Sequence, residues 1–469
     1  MYLYELSTTG AITFSDFCID SSPDRRYSHA LQEVTQSRAN IRGALKESKR
    51  VGHADKDNLK LIKLIEDYIP QLLGLVGCVG HNDIGLSSEP GLGVLFYIAG
   101  GILIVSSFQV FSWRTTLSAN IFNSSPRLSV PSFTAELAFI FLTYAFSLSN
   151  LARSYVAGPN VSERDRTIAD ADRNAKNQQL GVAVSFLRRA SGIFSYVSEN
   201  VLVGWDASKV ASTSDFRKPP DLTVEVGSAL AKMSLADAQS LAIRKLLSQS
   251  SSENILAPGA PLSKSHPSPM LLAKLHLECA SLYSSARSLI KNLGASKSDV
   301  HGDVSNELRR YLADEAAFHG ALAKKWLGVD SGENGGPNKG GEAVTFLAWA
   351  KNELQELKDN SGGLNRALVD KEQKNEFKNR VAAEMNVVIA FCNHYKKVND
   401  TVHFQPVPSH ADVQRSIPVG RLVIEAQQYI PPAPIFGPTS LSVEGDASYK
   451  ELAPNSQPLG TYSGAGSYF

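Results

Sequence analysis

The chain has 469 residues, 43% hydrophobic and 20% charged, and its 47 Lys+Arg against 46 Asp+Glu leave a formal charge of +1. That is enough chain for a large buried core, and so even a balance supplies no global field to gather nucleic acid or acidic lipid. Cys18, Cys78, Cys279 and Cys392 form no CxxC pair, and the opening MYLYELSTTGAITF carries Glu5 where a signal peptide needs a basic region, so reduced thiols in the cytosol are expected.

Short strands are expected at the front, in MYLYEL and AITF, and helices almost throughout thereafter. Tyr27–Arg50 contains no Pro, and KDNLKLIKLIEDYIPQLLGLV places Leu59, Ile62, Ile65 and Ile69 at helical spacing. EPGLGVLFYIAGGILIVSSFQVFSW (Glu89–Trp113) has no charge from Pro90 to Trp113, and about 18 such residues is the usual length of a membrane-spanning helix. Thr134–Ser154 is apolar nearly all round but short and interrupted by Arg153, as expected of a helix buried in a large core. A long amphipathic helix follows from Glu163 to Leu202, with an interruption expected near Gly192. Asp221–Ser248 comes next with Asp221 as N-cap, then Pro269–Leu293, Asp303–Leu327, Glu342–Lys358 and Arg366–Lys397. Ser250–Pro269 and Gly328–Glu342 read as loops, and Pro, Gly and Ser dominate from Tyr429 to Phe469, a flexible tail. KKWLG with EAVTFLAWA after it suits one or two irregular TPR-like hairpins without a fixed period.

Little in this pattern suggests catalysis. GENGGPNKGGE has Lys339 followed by Gly340 where a phosphate loop needs Ser or Thr, and a helix precedes it instead of a strand. His276 with Cys279 and Cys392 with His394 each lack a second half-site for zinc, so neither metal nor cofactor is expected. Asp170 and Asp172 lie among Arg164, Arg166 and Arg173, a solvated salt-bridged face.

Four segments read together carry a resemblance: PPDLTVEVGSALAKMSLADAQSLAIRKLL, RRASGIFSYVSENVL, FSWRTTLSAN leading into AELAFIFLTYAFSLSNLARS, and NDTVHFQPVPSHADVQRSIPVGRLV. In this order, over Met1–Pro432, they resemble the BRO-one domain superfamily, and TTGAITFSDF and YIPPAPIFGP are similar to its PalC family of fungal pH-response regulators. The resemblance implies an all-α, boomerang-shaped domain over 1–432 with TPR-like hairpins and minor N-terminal strands, then a tail over 433–469. It implies a non-catalytic scaffold that binds the C-terminal helix of the ESCRT-III filament subunit and serves proteolytic activation of a PacC-type alkaline-response transcription factor. Other pH-pathway proteins would be partners, nucleic acid would not, and a cytoplasmic chain would reach endosomal or cortical membrane through those partners. A general multivesicular-body adaptor is the alternative; the long helical region that follows the domain in Alix-type relatives is missing after Pro432, which favours the narrower assignment.

Three residues follow as candidate contacts. LLAKL matches an aliphatic pair of the family's partner-binding patch, which points to Leu271 and Leu275; at i and i+4 they would equally suit an ordinary core. Arg421, in PVGRLV, is the candidate contact for an acidic partner helix, and Ala242 stands where relatives place an aromatic.

In the family, the Glu-Pro pair is followed almost directly by Val-Phe-Ser-Trp, and removing Gly91–Gln109 leaves SSEPVFSWRTT uninterrupted. A bilayer span here would place parts of one packed domain on opposite sides of a membrane. Gly91–Gln109 is therefore expected to be a translated, unspliced intron: a GGT codon for Gly91 gives a GT donor, and CAA-GTN for Gln109–Val110 gives an AG acceptor and restores a Val codon. A tolerated surface insertion and a membrane span are the alternatives.

Overall fold

The computed structural model describes residues 1–52, 56–86, 93–98, 101–106, 111–118, 127–130, 132–156, 170–208, 218–250, 260–293, 303–360 and 368–438. Its helices are α1 (Ser28–Arg50), α2 (Asn58–Gly80), α3 (Phe133–Val156), α4 (Asp170–Tyr196), α5 (Val203–Ser208), α6 (Val224–Ser250), α7 (Pro269–Leu293), α8 (Asn306–Asn334), α9 (Gly340–Asn360), α10 (Leu368–Val398) and α11 (His410–Gln414). From α1 to α4 each helix packs on the next, then α4 on α6, and so on in chain order to α10. The fold is all-helical, and most of its large apolar side chains join one continuous core.

Three antiparallel strand pairs decorate this body: β1 (Cys18–Asp20) with β2 (Ile84–Leu86), β3 (Gly93–Ile98) with β4 (Gly101–Ser106), and β5 (Phe111–Arg114) with β6 (Arg127–Val130). The strands expected in MYLYEL and AITF do not form. Thr9 makes one isolated bridge to Trp113, and Phe14–Asp16 is a 3-10 turn. In place of a ladder, Tyr4 is held by a side chain, its N–H donating to Asn150 Oδ1 at 2.9 Å.

α3 lies at the centre. Its mean hydropathy is 1.4 and 94% of its most apolar window is buried, so its apolarity is that of a helix with protein on every side. Its one buried carboxylate, Glu136 at 0% exposure, accepts from Arg38 Nε at 2.7 Å, Arg38 Nη2 at 3.2 Å and Trp113 Nε1 at 2.5 Å. Arg38 also donates to Gly10 O and Thr9 Oγ1, so one buried ion pair fastens the N-terminal segment, α1, β5 and α3 together.

Several boundaries differ from the sequence reading for identifiable reasons. The irregularity expected near Gly192 falls at Val197–Leu202, a π-turn between α4 and α5. Gly192 serves another purpose, since a Cβ there would lie 1.7 Å from Gln427 O. Asp221 caps no helix: it sits in a 3-10 turn, buried, and its carboxylate accepts the N–H groups of Thr116 and Leu117 at 2.7 and 3.1 Å. The helix expected to end at Leu327 runs on to Asn334, because Gly332 is a packing position whose missing Cβ makes room for the Tyr395 ring. Residues 163–169 and 366–367 of the expected helices, and 439–469 of the expected tail, lie outside the described residues.

Candidate functional site

α7 opens at Pro269, and Leu271 lies half-buried on its first turn at the edge of the core. Leu275, one turn later, is only 3% exposed. The leucine pair therefore splits. Leu275 is a core residue because the inner stripe of α7 continues through Leu272, Leu275 and Cys279, whereas Leu271 keeps an open side.

Arg421 reaches α7 from far along the chain. From Ile417 to Pro434 the backbone has neither helix nor ladder. It forms a strap that crosses the helices instead of extending them. At α7, Arg421 N–H donates to Lys274 O at 2.9 Å, so the strap's backbone meets α7 three residues after Leu271 and the Arg421 side chain is exposed. At α6, the fully buried side chain of Gln239 donates from Nε2 to Leu275 O at 2.9 Å and Arg421 O at 3.2 Å, and its Oε1 accepts from Val423 N–H at 3.1 Å. At α4, Arg188 Nε donates to Glu425 O at 2.7 Å and Gln427 N–H returns a bond to Arg188 O at 3.1 Å.

The strap ends on α2 to α4. Tyr429 lies 5.5 Å from the Phe141 ring, 6.5 Å from Tyr144 and 5.4 Å from Tyr196, each edge-on. Ile435 N–H donates to Pro70 O, and the Phe436 and Tyr27 rings are 6.0 Å apart. Packing thus runs past the boundary drawn at Pro432, since the aromatics of YIPPAPIFGP are anchors between prolines that fix the backbone.

Leu271 and Arg421 are brought together; Leu275 lies beneath them. The strap also carries two exposed apolar side chains that sequence reasoning did not single out, Val419 at 87% exposed and Leu422 at 41%. Glu278 of α7 lies against Gly420, so this edge joins exposed apolar side chains with the Arg421 guanidinium and a carboxylate. Ala242, 5% exposed, packs in a cluster with Leu180, Leu187, Leu241 and the strap's Ile424, so this position faces inward. Gln239 was visible in LADAQSLA only as part of a family pattern; the signal it carried was an amide set between Ala238 and Leu241 on the apolar face of α6.

The titratable groups nearby are engaged internally. His276 Nδ1 and His319 Nδ1 are 2.8 Å apart; burial holds His276 well below the usual range, helped by the charge of a protonated His319, and burial brings His319 down to about 4 against the opposing pull of Glu315. Glu315 would be raised by burial, but Arg380, donating to both its oxygens at 2.7 and 3.1 Å, brings it to about 2. Tyr283 and Tyr311 both donate to Asp237 Oδ1, at 2.7 and 2.6 Å. Burial pushes the Cys18 and Cys78 thiols up to about 12, so neither is a thiolate at neutral pH. Among the described residues no group of three His, Cys, Asp or Glu side chains is placed to hold a metal. The arrangement is suited to binding.

Comparison with known proteins agrees. The BRO1-like domain family matches residues 105–456. The pH-response regulator protein palC of Cryptococcus neoformans var. neoformans serotype D is 33% identical over 522 aligned positions, covering 100% of this chain and 99% of that one. Its namesake from Emericella nidulans is 25% identical, covering 97% and 94%. Among solved structures, "ALIX BRO1 CHMP4C complex" aligns with a TM-score of 0.57 at 15% identity over 93% of this chain and 98% of that one. "Structure basis for endosomal targeting by the Bro1 domain" aligns at 0.53 and 17% over 91% and 92%. The chain belongs to the BRO1-like domain family and, within it, to the palC pH-response regulators of fungi.

Proposed function

We propose that this pH-pathway adaptor is a non-catalytic scaffold whose docking surface takes the C-terminal helix of the ESCRT-III filament subunit. Through that contact it would bring pH-pathway proteins together on endosomal membrane or at cortical sites, where another protein cleaves and activates a PacC-type transcription factor. The observation that carries the reading is the meeting of Leu271 and Arg421, from opposite ends of the second half of the chain, beside the exposed strap side chains Val419 and Leu422. An amphipathic helix is recognised by an apolar strip with a charged rim, and an acidic one by a cationic rim. The relative solved as a complex with CHMP4C has the same fold.

The test is titration of the full-length chain against the helical peptide, with Leu271→Asp and Arg421→Ala alongside and folding monitored by circular dichroism. Leu271→Asp is expected to weaken binding about a hundredfold and Arg421→Ala about tenfold, as for a central apolar contact and a rim charge. A folded wild-type chain that does not bind the peptide refutes the reading.

A further inference from the structure

We infer that Gln239 is a positioning residue for this docking surface: its buried amide latches the strap to α7 and so sets where Arg421 stands. The inference rests on the proposed function for its partner, but the latch is visible in the fold. Gln239 spaces its contacts as an adjacent strand would. Nε2 bonds Arg421 O while Oε1 takes Val423 N–H, a carbonyl and an amide two residues apart. The second Nε2 hydrogen goes to Leu275 O, on the helix that the strap crosses. A single side chain thus ties α6, α7 and the strap, and it is 0% exposed.

Other residues fail for stated reasons. Glu would set a carboxylate against two carbonyls, Asn falls one methylene short, and Leu leaves Arg421 O and Val423 N–H without this partner. Further along, the strap is fastened by Arg188 and by the aromatic cage around Tyr429. Loss of the latch therefore loosens the neighbourhood of Arg421–Val423 and leaves the helical body assembled.

The experiment is a double-mutant cycle on the full-length chain, reading affinity for the ESCRT-III helical peptide and amide hydrogen exchange in parallel. Gln239→Leu is expected to weaken binding about tenfold and to speed exchange at Val423, with exchange in α3 and α8 unchanged. In that background Arg421→Ala should cost less than about twofold, because its geometry is already lost, while Leu271→Asp on α7 keeps its full effect. A residue that merely supports the fold would leave the two effects additive. Gln239→Met, which keeps the length without donor or acceptor amide, serves as the second variant should Gln239→Leu not fold, with the same expectations. Wild-type affinity in the variant, or an undiminished Arg421→Ala effect, overturns the latch. If the wild-type chain does not bind the peptide, the proposed function falls and exchange alone judges the latch: faster exchange at Val423 upholds it, and unchanged exchange refutes it.

Discussion

α3 and the segment Gly91–Gln109 are both long apolar runs, and the fold treats them differently. α3 is enclosed by protein from Ala135 to Ala152, and its single buried carboxylate is matched by Arg38 and Trp113. In the other run, among the described residues, β3 and β4 pair with each other and with no other strand, and β3 packs on α5, while β1–β2 and β5–β6 form without them. Apolarity alone therefore does not identify a core segment. A core segment also has complementary partners elsewhere in the sequence, and α3 has them in the first 40 residues and in β5. The sharpest way to break this contrast is to attack the partnership on the α3 side. Glu136→Ala leaves the Arg38 guanidinium buried without its counter-charge and should cost about 3–5 kcal/mol, read by chemical denaturation. Replacing both residues, as Arg38→Met with Glu136→Leu, should cost much less than the single change.

A smaller effect is expected where burial and protonation compete. His319 titrates at about 4 in the fold against 6.5 for the free side chain, so the unfolded chain binds the extra proton first as pH falls. Its contribution to stability is complete above about 6.5, declines as pH falls toward 4, and amounts to about 3 kcal/mol at most. Glu315, lowered to about 2 from 4.5, adds a second loss in the same direction below about 4.5. His276, buried beside it and also held well below its ordinary value, loses stability in the same direction, so His319→Gln should shallow the first phase, the pair His276→Gln with His319→Gln should flatten it, and the second phase should remain, as measured by urea midpoints across that range. A slope between 6.5 and 4 that His319→Gln leaves unchanged would assign it elsewhere.

The helical series was legible in the sequence because its signal is local: an uninterrupted run without Pro placed α1, apolar residues at helical spacing placed α2, and all-round apolarity placed α3, each close to its observed bounds. What escaped was non-local. Asp221 looks like an N-cap from its neighbours, yet its amide partners lie about a hundred residues earlier, at Thr116 and Leu117. The strap has no period because its contacts come from successive helices, so Tyr429–Phe436 read as tail. Of the candidate site, the resemblance located α7 and the strap, but which leucine faces outward depended on packing. Truncation checks the strap directly. A chain ending at Pro438 should unfold like the full chain, and one ending at Gln428 should lose about 2 kcal/mol with the Tyr429 and Phe436 rings. Equal stability of the two would return 429–438 to the tail.

The smallest effect is expected from the second apolar run itself. Gly91–Gln109 separates a Glu-Pro pair from Val110-Phe111-Ser112-Trp113, and Trp113 is fully buried against α3, stacked on Phe139 at 5.2 Å. The matched BRO1-like region begins at residue 105. Deleting 91–109 should therefore change unfolding free energy by less than about 1 kcal/mol, since the contact that β3 gives up outside its own hairpin is with the short helix α5. Amplifying cDNA across the site should give a product lacking these codons, with Val110 restored at the junction. A long product alone, together with a deletion that costs several kcal/mol, would make the run a second core element after all. In that case α5, on which β3 packs, would be its partner in the core.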